Sequence, residues 1–181
     1  MDKYFVELMM DNKLDSFLDY FMIIITKMGD GLFFIILLVL LFLLKRTRKT
    51  SLILASSYAS SAVIMAIIKN IVKRPRPFVA YNFDIIISRP HGEFSFPSGH
   101  ATSSFALCFM VFLLFRKSQN KKLRVLAYLS PLVAFLISIS RVYLGVHYFT
   151  DILTGAILGI LVASTIHYIL KRKCIVNENE I

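Results

Sequence analysis

An unbroken run of thirteen apolar residues, Leu32 to Leu44, constrains this chain more than any other feature. Such a run has no polar face to offer water, so a helix made from it must be buried on all sides, in a large core or in lipid. Four more apolar blocks follow, at about 51–72, 98–115, 124–141 and 148–170. A helical span needs roughly 20 apolar residues, so the first block must draw in flanking residues, giving 30–45. Only 18% of the 181 residues are charged and the mean hydropathy is +0.69, whereas soluble domains are about a quarter charged. The expected fold is all-α, a polytopic transmembrane helical bundle of five to six spans.

Residues 1–28 are not apolar enough to span. Leu14, Phe17, Leu18, Phe21, Met22 and Ile25 recur at a helical period, with Asp15, Ser16 and Asp19 on another side. This predicts an amphipathic helix lying in the membrane interface or against the bundle, and Gly29-Asp30-Gly31 breaks it. The organisation expected is an amphipathic N-terminal segment (1–28), a transmembrane domain (29–173) and a polar tail (174–181). No short apolar core followed by a small-residue cleavage site opens the chain, so the internal spans are expected to direct insertion. Pro131 is expected to kink the fourth span. Gly155, Gly159 and Ala163 form a small-residue stripe suited to helix packing on the fifth.

The formal charge is +10, but its distribution excludes a nucleic-acid groove. Lys45, Arg46, Arg48 and Lys49 follow the first span. Arg116, Lys117, Lys121, Lys122 and Arg124 separate the third and fourth, and Lys171, Arg172 and Lys173 follow the fifth. In a five-span topology these twelve cations share one face, which the positive-inside rule makes cytoplasmic. Cys108 and Cys174 form neither a disulfide framework nor a metal spacing. The longest connector, 73–97, is rich in Pro, Arg and aromatics, including Phe78, Tyr81, Phe83, Phe94 and Phe96. It suits the membrane surface and is long enough to be functional.

Three polar groupings interrupt the apolar background. In Ser140-Arg141-Val142-Tyr143-Leu144-Gly145-Val146-His147-Tyr148-Phe149-Thr150-Asp151, a guanidinium, an imidazole and a carboxylate stand at the mouth of the fifth span. An apolar setting tolerates such groups only with a partner or a function. His147 and Asp151 are four apart and would share a face on a helix. A carboxylate accepting from one ring nitrogen leaves the other as a lone pair, which makes the histidine a base or a nucleophile. The stretch equally fits a buried ion pair tethering two helices.

Lys69-Asn70-Ile71-Val72-Lys73-Arg74-Pro75-Arg76-Pro77 closes the second span. The prolines stiffen the turn, Arg76 offers a planar fork matched to phosphate oxygens, and Lys69 adds a mobile charge. Anchoring to lipid headgroups would use the same residues. Phe96-Pro97-Ser98-Gly99-His100 opens the third span, with Ser98 as helix cap and Gly99 allowing close backbone approach. Free amides at a helix N-terminus bind anions, and His100 in the first turn is placed to protonate a leaving oxygen. An ordinary cap with an interfacial histidine would look alike. His91 and His167 receive no role.

All three groupings fall at the same ends of spans two to five. Three cations, a helix N-terminus, two histidines and an aspartate are the inventory for phosphoryl transfer. Between Asp30 and Glu178 the only acids are Asp84, Glu93 and Asp151, too few for a two-cation carboxylate site, so no metal and no cofactor are expected. A transporter would place its charges near the midplane between repeats. No repeat is visible here, and the polar groups gather at one end.

The chain resembles the type 2 phosphatidic acid phosphatase superfamily, whose signature is Lys-x6-Arg-Pro, Pro-Ser-Gly-His and Ser-Arg-x5-His-x3-Asp. Lys69…Arg76-Pro77, Pro97-Ser98-Gly99-His100 and Ser140-Arg141…His147…Asp151 fill every fixed position, in order, over roughly residues 50–165. The resemblance implies a membrane phosphatase in which His147 attacks phosphorus to give a phosphohistidine and Asp151 holds its ring. His100 would serve as acid and then as base toward water. Lys69, Arg76, Arg141 and the amides near Ser98 and Gly99 would bind the phosphoryl oxygens. Its substrate would be a membrane lipid phosphate or diphosphate at the outer face of the cell membrane. Undecaprenyl diphosphate leads, followed by phosphatidylglycerophosphate and phosphatidic acid. A phosphotransferase using the same intermediate is the alternative. Loop 78–96 would help gate entry.

Overall fold

A computed structural model describes residues 16–82, 85, 87 and 94–173. The tail 174–181, Leu14 and Asp15 of the N-terminal stripe, Phe83 and His91 lie outside the described residues. Among them all regular structure is helical: α1 (Ser16–Lys27), α2 (Gly31–Leu43), α3 (Arg48–Val72), α4 (Pro77–Ala80), α5 (Gly99–Phe115), α6 (Lys121–Tyr143) and α7 (Phe149–Arg172). One isolated antiparallel bridge joins Pro75 to Phe94, closing the loop between α3 and α5 at its base.

Helices α3, α6 and α7 are each long and apolar enough to cross a bilayer. The α1–α2 pair makes a fourth candidate, bent by 54° at the break near Gly29. Apolar α5 has 17 residues, about 26 Å at 1.5 Å per residue, somewhat less than a full span. By length, then, the five to six spans read from the sequence become three to four candidates, because α2 and α5 are short.

Helix α5 is the axis of the bundle, packed chiefly against α7 and α6 and also against α3. Gly155 and Gly159 explain the α5–α7 approach. A Cβ at Gly159 would lie 2.5 Å from the Thr102 carbonyl oxygen and 2.8 Å from the Ala106 amide nitrogen. The small-residue stripe therefore packs directly on the α5 backbone. Serines join the helices from within: Ser57 Oγ donates to Ala106 O at 3.0 Å and Ser51 Oγ to Leu38 O at 2.7 Å. The outer faces expose Ile35, Ile36, Leu40, Leu132 and Phe135, as a lipid-facing surface requires.

Helix α6 runs unbroken through Pro131. Proline has no amide to give Ala127 O, but Ser130 Oγ lies 2.8 Å from that oxygen and 2.8 Å from Cys108 O on α5. The neighbouring hydroxyl thus meets the orphaned carbonyl. Helix α1 packs on α6 with most of its aromatic side turned outward. Phe17, Tyr20, Phe21 and Ile24 are exposed, whereas Thr26 is buried and Met22 and Ile23 pack inward. Asp19, read as part of the polar side, accepts a 2.8 Å bond from Tyr143 Oη. That hydrogen bond turns the Asp19 side toward the bundle.

Candidate active site

The end of α3, the start of α5, the end of α6 and the start of α7 meet at one end of the bundle. Lys73 closes α3 in the left-handed region (φ 50), its amide donating to Lys69 O. This turn sends Arg74-Pro75-Arg76-Pro77 across the bundle end, and α4 follows, with Pro77 buried and Phe78 packed in a cluster with Tyr143, Leu144 and Val146. Phe78 is thus a core residue and not a surface aromatic. Lys69 Nζ donates to Phe94 O at 3.0 Å, tying the returning loop to α3.

After α6, Gly145 adopts φ 72, a conformation that glycine takes at little cost. Val146 and His147 amides then fold back onto Arg141 O, and His147 points inward with 2% exposure. It precedes α7 and does not share a helical face with Asp151 as expected. Asp151 is the third residue of α7, and its Oδ2 reaches back to accept the Tyr148 amide at 3.0 Å, as an N3 acid does in a capping box. The same oxygen lies 3.4 Å from His147 Nδ1. Capping chemistry, not i to i+4 stacking, brings the pair together.

The other ring nitrogen, Nε2, is 3.3 Å from Arg76 Nη1, which also donates to Val146 O at 3.2 Å. A proton on Nδ1 facing Asp151 leaves the Nε2 lone pair toward a guanidinium, which only donates. Burial, reinforced by Arg141, Arg76 and Lys69, holds the His147 pKa well below the ordinary imidazole range. The ring is therefore a neutral lone-pair bearer set among cations.

Lys69, Arg76 and Arg141 lie within electrostatic reach of one another. Arg141 Nη1 donates to Thr26 Oγ1 at 2.7 Å, while its buried Nε has no partner among the described residues. Ser98 caps α5, its Oγ 3.5 Å from the Ala101 amide. The Ser98 amide, expected to be free for an anion, instead donates to Asp151 O at 3.1 Å. The first-turn amides of Gly99 and His100 lack intrahelical acceptors by position and remain at the helix mouth. His100 Nε2 lies 3.0 Å from Asp30 Oδ1.

Three contributors escaped the sequence reading. Arg74 Nη1 donates to Asp151 Oδ1 at 2.9 Å and to Thr150 Oγ1 at 2.7 Å, with its guanidinium carbon 3.6 Å from the Tyr148 ring centre. Its signal was available, as the first arginine of Arg74-Pro75-Arg76-Pro77. Asp30 and Thr26 carried no signal beyond marking the end of an amphipathic helix. No three His, Cys, Asp or Glu among the described residues gather as a metal-ligand set. The arrangement can accept a phosphoryl group among cations and offer it the lone pair of one imidazole, with a second imidazole at the same end of the bundle.

The profile of the PAP2 superfamily matches residues 50–174. Phosphatidylglycerophosphatase B of Bacillus subtilis is 33% identical over 109 residues, covering 58% of this chain and 50% of that protein. Undecaprenyl-diphosphatase BcrC of the same organism is 37% identical over 103 residues, 55% of this chain and 47% of that protein. Lipid A 4'-phosphatase of Bacteroides thetaiotaomicron is 44% identical over 75 residues, 41% and 31% respectively. The matches thus span from 31% to 50% of these relatives' length. The solved transmembrane PAP2-type phosphatidylglycerolphosphate phosphatase from Bacillus subtilis superposes with a TM-score of 0.79 at 25% identity, over 94% of this chain and 85% of that one. Aquifex aeolicus LpxE gives 0.68 at 26% identity, over 89% and 91%.

Proposed function

Because this chain belongs to the PAP2 superfamily, we propose that it is a membrane phosphatase hydrolysing a lipid phosphate or diphosphate through a phosphohistidine. The observation that carries the reading is the His147 ring, its Nδ1 on Asp151 and its Nε2 beside Arg76. Nε2 attacks phosphorus while Asp151, itself fixed by Arg74 and the Tyr148 amide, keeps the proton on Nδ1. Lys69, Arg76, Arg141 and the amides at the start of α5 hold the phosphoryl oxygens, the unpartnered Arg141 Nε among the donors. His100 protonates the departing oxygen and then deprotonates the attacking water. Charge stabilisation comes from these side chains, without a divalent metal or other cofactor.

In this reading the bundle carries five spans plus the N-terminal helix, and the site faces the extracytoplasmic side. Undecaprenyl diphosphate is the leading substrate, supported by the likeness to an undecaprenyl-diphosphatase. Phosphatidylglycerophosphate is the second reading, favoured by the superposition on a phosphatase of that lipid; phosphatidic acid follows. A phosphotransferase would share every step up to the phosphohistidine and differ only in what attacks it.

The test is phosphate release from detergent-dispersed undecaprenyl diphosphate, phosphatidylglycerophosphate and phosphatidic acid, with and without EDTA, by wild type and His147→Ala. Release unaffected by EDTA and reduced at least about 10³-fold in the variant is the expected result. Folded wild type inert toward all three lipids would shift the reading to the phosphotransferase.

A further inference from the structure

We infer that Asp30 is a positioning residue for His100, making the α1–α2 elbow part of the reaction centre; this rests on the phosphatase reading above. Asp30 occupies the N-cap position of α2, where an aspartate ordinarily accepts a bond from the first-turn amides. It makes no such bond. Its Oδ1 instead lies 3.0 Å from His100 Nε2, with the carboxylate about half exposed and the imidazole largely covered. The preceding residue makes this reach possible. A Cβ on Gly29 would lie 2.8 Å from His100 Cδ2 and closer still to Ile137 Cγ2, so only a bare backbone lets the elbow sit on the ring. A second contact holds the elbow in place, since Thr26 accepts from Arg141.

The electrostatics give this carboxylate a task. Lys69 from α3, Arg76 from the loop, Arg141 from α6 and His147 from the turn before α7 lie within electrostatic reach of His100. Its own position in the first turn of α5 adds the positive end of a helix dipole. Amid these positive groups a general acid must still carry its proton. Asp30 is the opposing charge in contact with it among the described residues. Accepting from Nε2–H, it also assigns the proton exchange to Nδ1. In the first half-reaction the His147 Nε2–P bond forms and the P–O bond to the leaving group breaks. The Nδ1 proton of His100 passes to the departing oxygen. In the second, water oxygen bonds phosphorus, its proton goes to Nδ1, and the N–P bond breaks. His100 keeps its Nε2–H on Asp30 throughout.

A leaving group that needs no proton separates this role from a structural one. Full-length Asp30→Asn and Asp30→Glu would be compared with wild type by rapid-quench first-turnover release, using phosphatidic acid (an alkoxide leaving group) and 4-nitrophenyl phosphate. Asp30→Asn is expected to slow release from phosphatidic acid at least about tenfold and leave the nitrophenolate burst within about twofold. The carboxylate favours the protonated ring, so its loss should also move the alkaline limb of kcat to lower pH. Asp30→Glu should restore part of both, and is the variant to read if Asp30→Asn does not accumulate. Equal losses on both substrates with an unmoved alkaline limb, no loss at all, or a glutamate variant no better than asparagine would overturn the inference. Full activity in His147→Ala, or an inert wild type, would instead bring down the phosphatase reading itself.

Discussion

His147 shows how one buried ring can be both neutral and surrounded by positive charge. Protonation at Nε2 would remove the lone pair, so falling pH must end activity. Burial and the three nearby cations hold that protonation well below the ordinary imidazole range. The acid limb of kcat/KM, after allowance for the substrate's own phosphate ionisation, should therefore lie clearly below the pKa of a free histidine. A limb at the ordinary histidine value would mean that the cations do not act on this ring. His147, Asp151, Arg76 and Lys69 were legible in the sequence as ionisable groups at the ends of apolar blocks, although capping and not helical spacing brings His147 to Asp151. Arg74 was half legible: its run drew attention, but its bond to Asp151 joins residues 77 apart. Asp30 was illegible, since nothing local distinguishes a helix-breaking aspartate from one that reaches an imidazole 70 residues on.

At the level of elements, apolar blocks placed every long helix within a few residues, because lipid leaves a backbone no alternative to internal hydrogen bonding. Which face of α1 turns inward could not be read. The choice rests on single polar contacts, Asp19 with Tyr143 and Thr26 with Arg141, and not on a hydrophobic stripe. The α5–α7 contact is the firmest element-level expectation, since Gly155 and Gly159 meet backbone atoms that cannot step aside. Gly159→Val should cost about 1–3 kcal/mol, the range for overpacking. It should also depress activity, because α5 and α7 carry His100 and Asp151. A melting temperature in detergent equal to that of wild type would contradict this packing account.

Seen whole, the bundle is electrically lopsided. The cations flanking the α2–α3, α5–α6 and C-terminal α7 ends lie opposite the end where Lys69, Arg76 and Arg141 meet, and in the topology proposed above the positive-inside rule turns that site outward. In a background with Cys108 and Cys174 replaced by serine, Tyr81→Cys in the exposed turn after α4 should react with a membrane-impermeant maleimide on intact cells. Lys121→Cys should react only after lysis. The opposite pattern would invert the topology.

The elbow between α1 and α2 has a consequence for where this protein begins as a chemical object. The matched family region starts at residue 50, yet Thr26 grips a phosphate-binding candidate and Asp30 touches the second histidine. On the proposed reading the reaction centre reaches beyond the region that the family profile matches. A chimera that grafts this family core onto a relative's amino-terminal helix would keep all three signature motifs and take the surroundings of His100 from that relative. Reaction rate and pH preference can thus diverge among relatives through a segment that motif comparison leaves out.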